Sequence, residues 1–176
     1  MDAQPVAPLD PEFCRDLREL PLAEIRRRRV LADEHETGYS YLRRQVQGRL
    51  DIVADERSRR DSGTPLEEGS SLVDRLPAIL AVGIHAPGRG RLPQLLGPGD
   101  VDHDVERRMD EIVSIAELSD PPNISEERLD AIIGALRELE REVSTTRRSL
   151  HAVVDALNAE VVRRYQQGEV PTDILP

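Results

Sequence analysis

A pattern of five polar positions recurs in this 176-residue chain at spacings that suit an α-helix, with the same residue at four of the five. Glu36, Ser40, Arg43, Gln47 and Asp51 stand at steps of 4, 3, 4 and 4, and Glu140, Ser144, Arg147, His151 and Asp155 repeat those steps 104 residues later. Steps of three and four keep side chains on one stripe of a helix. Each copy lies in a long segment with its own apolar period. Leu22 to Arg60 contains no proline, and Tyr39, Leu42, Val46, Leu50 and Val53 follow a heptad-like spacing. In the second segment the apolar residues are Ile132, Ile133, Leu136, Leu139, Val143, Leu150, Val154, Leu157 and Val161. The likeness continues past the motif in Glu34/Glu138, Arg44/Arg148, Glu56/Glu160, Arg59/Arg163 and Arg60/Arg164.

Composition fits long helices on narrow seams. Aromatics are only 2% of the residues, too few for a thick globular core, while 33% are charged. The expected fold is all-α: two long helices in an antiparallel coiled-coil hairpin, a short helix and an irregular connecting segment. The chain divides into a mobile N-terminal segment (1–19), a long helix with the first motif (20–60), a linker with short helices (61–122), a long helix with the second motif (123–168) and a C-terminal tail (169–176). Gly, Pro and Ser dominate much of 61–100 around the apolar island LVDRLPAILAVGI. Asp100–Leu118 reads as one short amphipathic helix carrying Val105, Met109, Ile112, Val113 and Ala116. The second long helix is expected to begin near Asn123 or Ser125, where N-x-x-E offers a capping box, and to stop near Gln167 and Gly168.

The net charge of −10 and the sequence pI of 4.9 argue against direct DNA binding and favour a basic protein partner. All 24 cations are arginine, so each is a planar fork able to pair bidentately or stack. One cysteine excludes an internal disulfide. No apolar run is long enough to span a bilayer, and the start MDAQPVAPLD lacks signal-peptide regions, so a cytoplasmic protein without membrane attachment is expected.

The residue before each motif position is mostly apolar, and one residue is 100° of helix. Each polar stripe therefore borders its helix's own seam. Antiparallel pairing of the seams would bring both stripes to one pseudo-twofold site, with Arg43 and Arg147 near its centre. Solvated i,i+4 pairs would explain a single stripe better; the doubling weakens that reading. Arginine forks match the O6/N7 edge of guanine or a phosphate, and carboxylates accept from guanine N1–H and N2–H₂. Ser and Gln add neutral hydrogen bonds. The chemistry suits a ligand with guanine and phosphate.

E-x3-S-x2-R-x3-Q-x3-D on each of two long helices resembles the signature of the RsiG family of actinobacterial anti-sigma factors. That resemblance implies a helical hairpin binding cyclic di-GMP, as two nucleotide molecules, and in that state holding a WhiG-type sporulation sigma factor inactive. It makes ligand contacts of Glu36, Ser40, Arg43, Gln47, Asp51, Glu140, Ser144, Arg147 and Asp155. His151 departs from the family's Gln; it donates or accepts, carries charge when protonated and reaches less far. Arg44 and Arg148, beside the motif arginines, are further candidates.

Other features point to no chemistry. Arg26–Arg29 are four consecutive helical residues and spread around the circumference. Asp100–Asp104 with His103 reads as a helix start favoured by the dipole rather than a metal site. GRGR and GPGD lack the setting of a phosphate loop, and nothing orients Cys14 with His35 as a nucleophile pair. Neither an enzyme nor a metal is expected. The competing reading is a ligand-independent coiled-coil adaptor or dimerisation module, whose charged stripes set register.

Overall fold

The computed structural model describes residues 7–65, 72–81 and 100–168. The expected tail at 169–176 and most of the expected irregular connection lie outside these. The fold is all-α, with no strand among the described residues. Among the described residues the α-helices are, in order, α1 (Leu22–Asp61), α2 (Leu72–Ala81), α3 (His103–Ile112), α4 (Ile115–Ser119) and α5 (Glu126–Gln166). Short 3-10 helices at Pro11–Cys14 and Pro121–Asn123 precede α1 and α5. No helix among the described residues is long and apolar enough to cross a membrane.

The long helices run antiparallel: Arg26 near the start of α1 meets Tyr165 near the end of α5, and Arg57 near the end of α1 meets Asp130 near the start of α5. Their seams bury Leu42, Val46 and Val53 against Leu129, Leu136, Leu139 and Val143, with Val105 and Met109 of α3 closing one side. A second cluster joins Ile25 and Ala32 of α1 to Val154 and Leu157 of α5.

The duplication reaches beyond the helices. The N-caps of α1 and α5, Pro21 and Ser125, are 104 residues apart, as are Asp10 and Ser114, which cap the short helices before them. The helix ends repeat too. Arg60 shares the Glu56 carboxylate with Arg59, and its Nη2 donates to the carbonyls of Pro121, Pro122 and Ile124 at 3.1, 3.1 and 2.8 Å. Arg164 shares Glu160 in the same way, and its Nη2 donates to Leu17, Arg18 and Leu20 at 2.8, 3.1 and 2.8 Å. Each helix end thus clamps the chain entering the other helix, which fixes the register of the pair. Burial would raise the Glu56 carboxyl, but hydrogen bonds from Arg59 and Arg60 hold it below the usual range. Hydrogen bonds from Arg163, opposed by burial and joined by those from Arg164, hold Glu160 down to about 2.

Two expectations need correction, and a third, the start of α5 at Asn123 or Ser125, is narrowed to one residue. Residues 7–19 do not trail free: Phe13 is buried, Arg28 donates to its carbonyl and lies over its ring at 5.4 Å, and Arg164 holds the segment's end. The helix expected over Asp100–Leu118 is two helices, broken at an extended Val113 because Ser114 and Glu117 form a capping box that starts α4. Before α5 the cap is Ser125, accepting from the Arg128 amide, while Asn123 sits in the 3-10 helix and bonds Asp120.

Gly38 marks where the chain entering α3 crosses α1. A Cβ there would lie 2.1 Å from the Asp100 carbonyl oxygen, whereas one on Gly134 would meet nothing within 4 Å. Both glycines are helical, so alanine gains about 1 kcal/mol of helix propensity at each. At Gly38 the obstacle is backbone, and overpacking of about 1–3 kcal/mol outweighs that gain. Denaturant unfolding should show Gly134→Ala stabilised and Gly38→Ala destabilised; stabilisation of both would mean the crossing yields freely.

Candidate functional site

The two stripes meet across the hairpin, but each copy of the motif is split between two clusters. In the first, Glu36 Oε1 accepts from Ser40 Oγ at 2.8 Å on its own helix and from Arg147 Nη1 at 3.3 Å across the pair, with His151 Nε2 also 3.3 Å away. In the second, Glu140 Oε1 accepts from Ser144 Oγ at 2.8 Å and from Gln47 Nε2 at 3.4 Å, and Arg43 Nε lies 3.5 Å off. Adding 104 to each residue of the first cluster that comes from α1, and subtracting it from each that comes from α5, gives the second. So Glu and Ser come from one helix, and Arg with Gln or His from the other. Periodicity placed all eight on one face; only the antiparallel offset decides which carboxylate each arginine meets.

The halves differ. The Glu36 side chain is 10% exposed and Arg147 25%, against 23% for Glu140 and 36% for Arg43. The first cluster is the deeper one, and the Nε of Arg147 is buried without a partner among the described residues. Asp51 and Asp155 complete the motifs without a hydrogen bond or ion pair to the other described residues. Asp51 is half-buried, and burial raises its carboxyl; Asp155 is exposed. Arg44 and Arg148 are exposed, and Arg148 bonds the Ser144 carbonyl and Thr145 hydroxyl of its own helix at 3.2 Å.

Among the described residues, α3 and the chain entering it pack on another side of the long helices. Gly38, 200° around α1 from Glu36, meets the chain entering α3, and Tyr39 donates to Asp102 at 2.8 Å. Burial, then that bond to Asp102, pushes the Tyr39 phenol up. Arg49–Asp110 at 2.7 Å and Arg108–Glu142 at 2.6 Å pin α3 to both long helices on its own side, and α2 reaches α1 through Arg75–Asp55 at 3.0 Å. Asp102 caps α3, accepting from the amides of Asp104 and Val105, and His103 pairs with Glu106. Among the described residues no group of three or more His, Cys, Asp or Glu side chains is placed to hold a metal ion.

The RsiG-like family model matches residues 11–80 and 115–176, three quarters of the sequence. The chain belongs to the RsiG-like family. The two RsiG-like segments begin 104 residues apart, the interval that relates the motifs, the helix caps and the terminal clamps. The RsiG-like family is not one of enzymes. A comparison with curated proteins found no match.

Sequence reasoning missed the clamps at Arg60 and Arg164, although it paired those arginines. Their acceptors are backbone carbonyls of Leu17, Arg18 and Leu20 and of Pro121, Pro122 and Ile124, whose side chains share no pattern. The signal available was the 104-residue offset itself, carried upstream from Ser125 to Pro21.

Proposed function

We propose that this RsiG-like protein is an anti-sigma factor that binds cyclic di-GMP across the two motif clusters and in that form sequesters a WhiG-type sigma factor. The observation that carries the reading is the exchange of partners between helices. Each cluster draws its carboxylate and hydroxyl from one helix and its arginine from the other, so a ligand seated on either cluster touches both helices. A twofold-symmetric dinucleotide matches a site whose halves are related by a near-twofold. Carboxylates would accept from guanine N1–H and N2–H₂, and arginine forks would meet phosphate or the guanine O6/N7 edge. Each arginine is already held near the other helix's glutamate, so nucleotide would trade one set of partners for another with less ordering entropy to oppose binding.

Two nucleotide molecules would fill the face. The regulatory step is linkage: nucleotide bridging α1 and α5 favours one arrangement of the hairpin, and the sigma factor prefers that arrangement. A promoter-binding sigma factor must present basic surface, which an acidic protein of net charge −10 can meet. Exposed Asp104, Asp110 and Glu111 place part of that acidity on α3. Size-exclusion chromatography of the full chain with a WhiG-type sigma factor tests this. A complex that forms with cyclic di-GMP and falls apart without it is expected. A complex equally stable without nucleotide would favour the ligand-independent adaptor.

A further inference from the structure

The two clusters are equivalent at every position but one: Gln47 serves Glu140, and His151 serves Glu36. Glutamine is neutral at all relevant pH, whereas a histidine changes charge between about pH 5 and 8. We infer that guanine-dinucleotide binding at this face is coupled to proton uptake by His151, so that one half of the site tightens as pH falls while the other does not. The inference rests on the nucleotide-binding reading above.

Charge balance supports it. The ten motif positions hold four carboxylates (Glu36, Asp51, Glu140, Asp155) against two guanidinium groups (Arg43, Arg147), a net negative surface while His151 is neutral. Each cyclic dinucleotide brings two more negative charges through its phosphodiesters. A site already negative gains most from one added cation, and His151 is the one motif position whose side-chain type can gain it. The groups around the ring come from both long helices. Glu36, 3.3 Å away, faces it from α1, with Asp33 one turn along the same helix. On α5, Arg147 lies one turn before it and shares the Glu36 oxygen, Arg148 stands three residues before it, and Asp155 one turn after. Without ligand, Glu36 answers Arg147 alone or Arg147 and a protonated His151; a bound phosphate supplies the negative charge that the second cation lacks.

Linkage then requires ligand and proton to favour each other equally. Calorimetric titration of the full chain with cyclic di-GMP, near pH 6 and near pH 8, in two buffers of different ionisation enthalpy, reads both effects. Wild type should bind about five-fold more tightly at the lower pH, the size of one partly exposed ion pair. Near neutral pH its heat should differ between buffers, reporting proton uptake. His151→Gln, which copies the Gln47 half, should bind equally at both pH values; this also separates His151 from Asp51, the motif carboxyl that burial raises. Equal wild-type affinity at both pH values with buffer-independent heat would overturn the inference while leaving nucleotide binding intact, as would a pH dependence retained by His151→Gln. No binding by wild type at either pH would instead overturn the nucleotide reading, and this inference with it.

Discussion

Arg164→Met is expected to destabilise the fold by about 3–5 kcal/mol, the usual cost of removing one partner from a buried ion pair. The Arg164 side chain is 9% exposed and Glu160 is 7% exposed, so the carboxylate would keep Arg163 but lose its buried partner. Three carbonyls, of Leu17, Arg18 and Leu20, would lose one donor together. Each is a backbone acceptor near the start of α1, and the chain there lacks helix hydrogen bonds of its own. Methionine keeps much of the aliphatic length, so the loss reads charge and hydrogen bonding more than a cavity. Arg60→Met is expected to cost as much, because Glu56 is fully buried and Arg60 holds Pro121, Pro122 and Ile124. Urea unfolding of the two variants checks this. Near-equal losses are expected from near-equal clamps; a loss under about 1 kcal/mol in either, the range of an exposed pair, would make that clamp incidental.

The second large effect falls on nucleotide affinity. Arg147→Ala is expected to weaken cyclic di-GMP binding about a hundred-fold or more, near 2.7 kcal/mol, since one guanidinium commonly makes two charge-assisted hydrogen bonds of about 1.5–3 kcal/mol each. It would also leave the 10%-exposed Glu36 with Ser40 and His151 as its remaining partners. Arg43→Ala removes a longer and more exposed contact, 3.5 Å from Glu140, and a smaller loss is expected. Neither variant should melt much below wild type without nucleotide, because both ion pairs are partly exposed and worth about 1 kcal/mol or less. Comparing melting temperatures with and without nucleotide separates lost binding from lost folding.

Much of this was legible in the sequence. The steps from Glu36 to Asp51 and from Glu140 to Asp155 gave both helices and the face, since helical period depends only on spacing. The partner of each arginine was not legible: whether Arg147 meets Glu36 or Glu140 depends on the relative shift of two helices, which no local pattern encodes. The Arg60 and Arg164 clamps were hidden because carbonyls carry no side-chain signal. The proline and acid content of residues 1–19 suggested a free segment, yet the single phenylalanine of the chain, Phe13, supplies enough apolar area to dock residues 7–19. At Ser114 two local signals competed. The apolar period ran through from Val105 to Ala116, but S-x-x-E formed its capping box and broke the helix.

We propose one nucleotide site built from both helices, with the arginine of each serving the other's carboxylate. Calorimetric titration of the full chain with cyclic di-GMP, alongside Arg43→Ala and Arg147→Ala, tests it most directly. Saturable binding by wild type is expected, with two nucleotides per chain, and weaker binding by each variant, more so by Arg147→Ala. Absence of binding heat in wild type, or wild-type affinity in both variants, would contradict it.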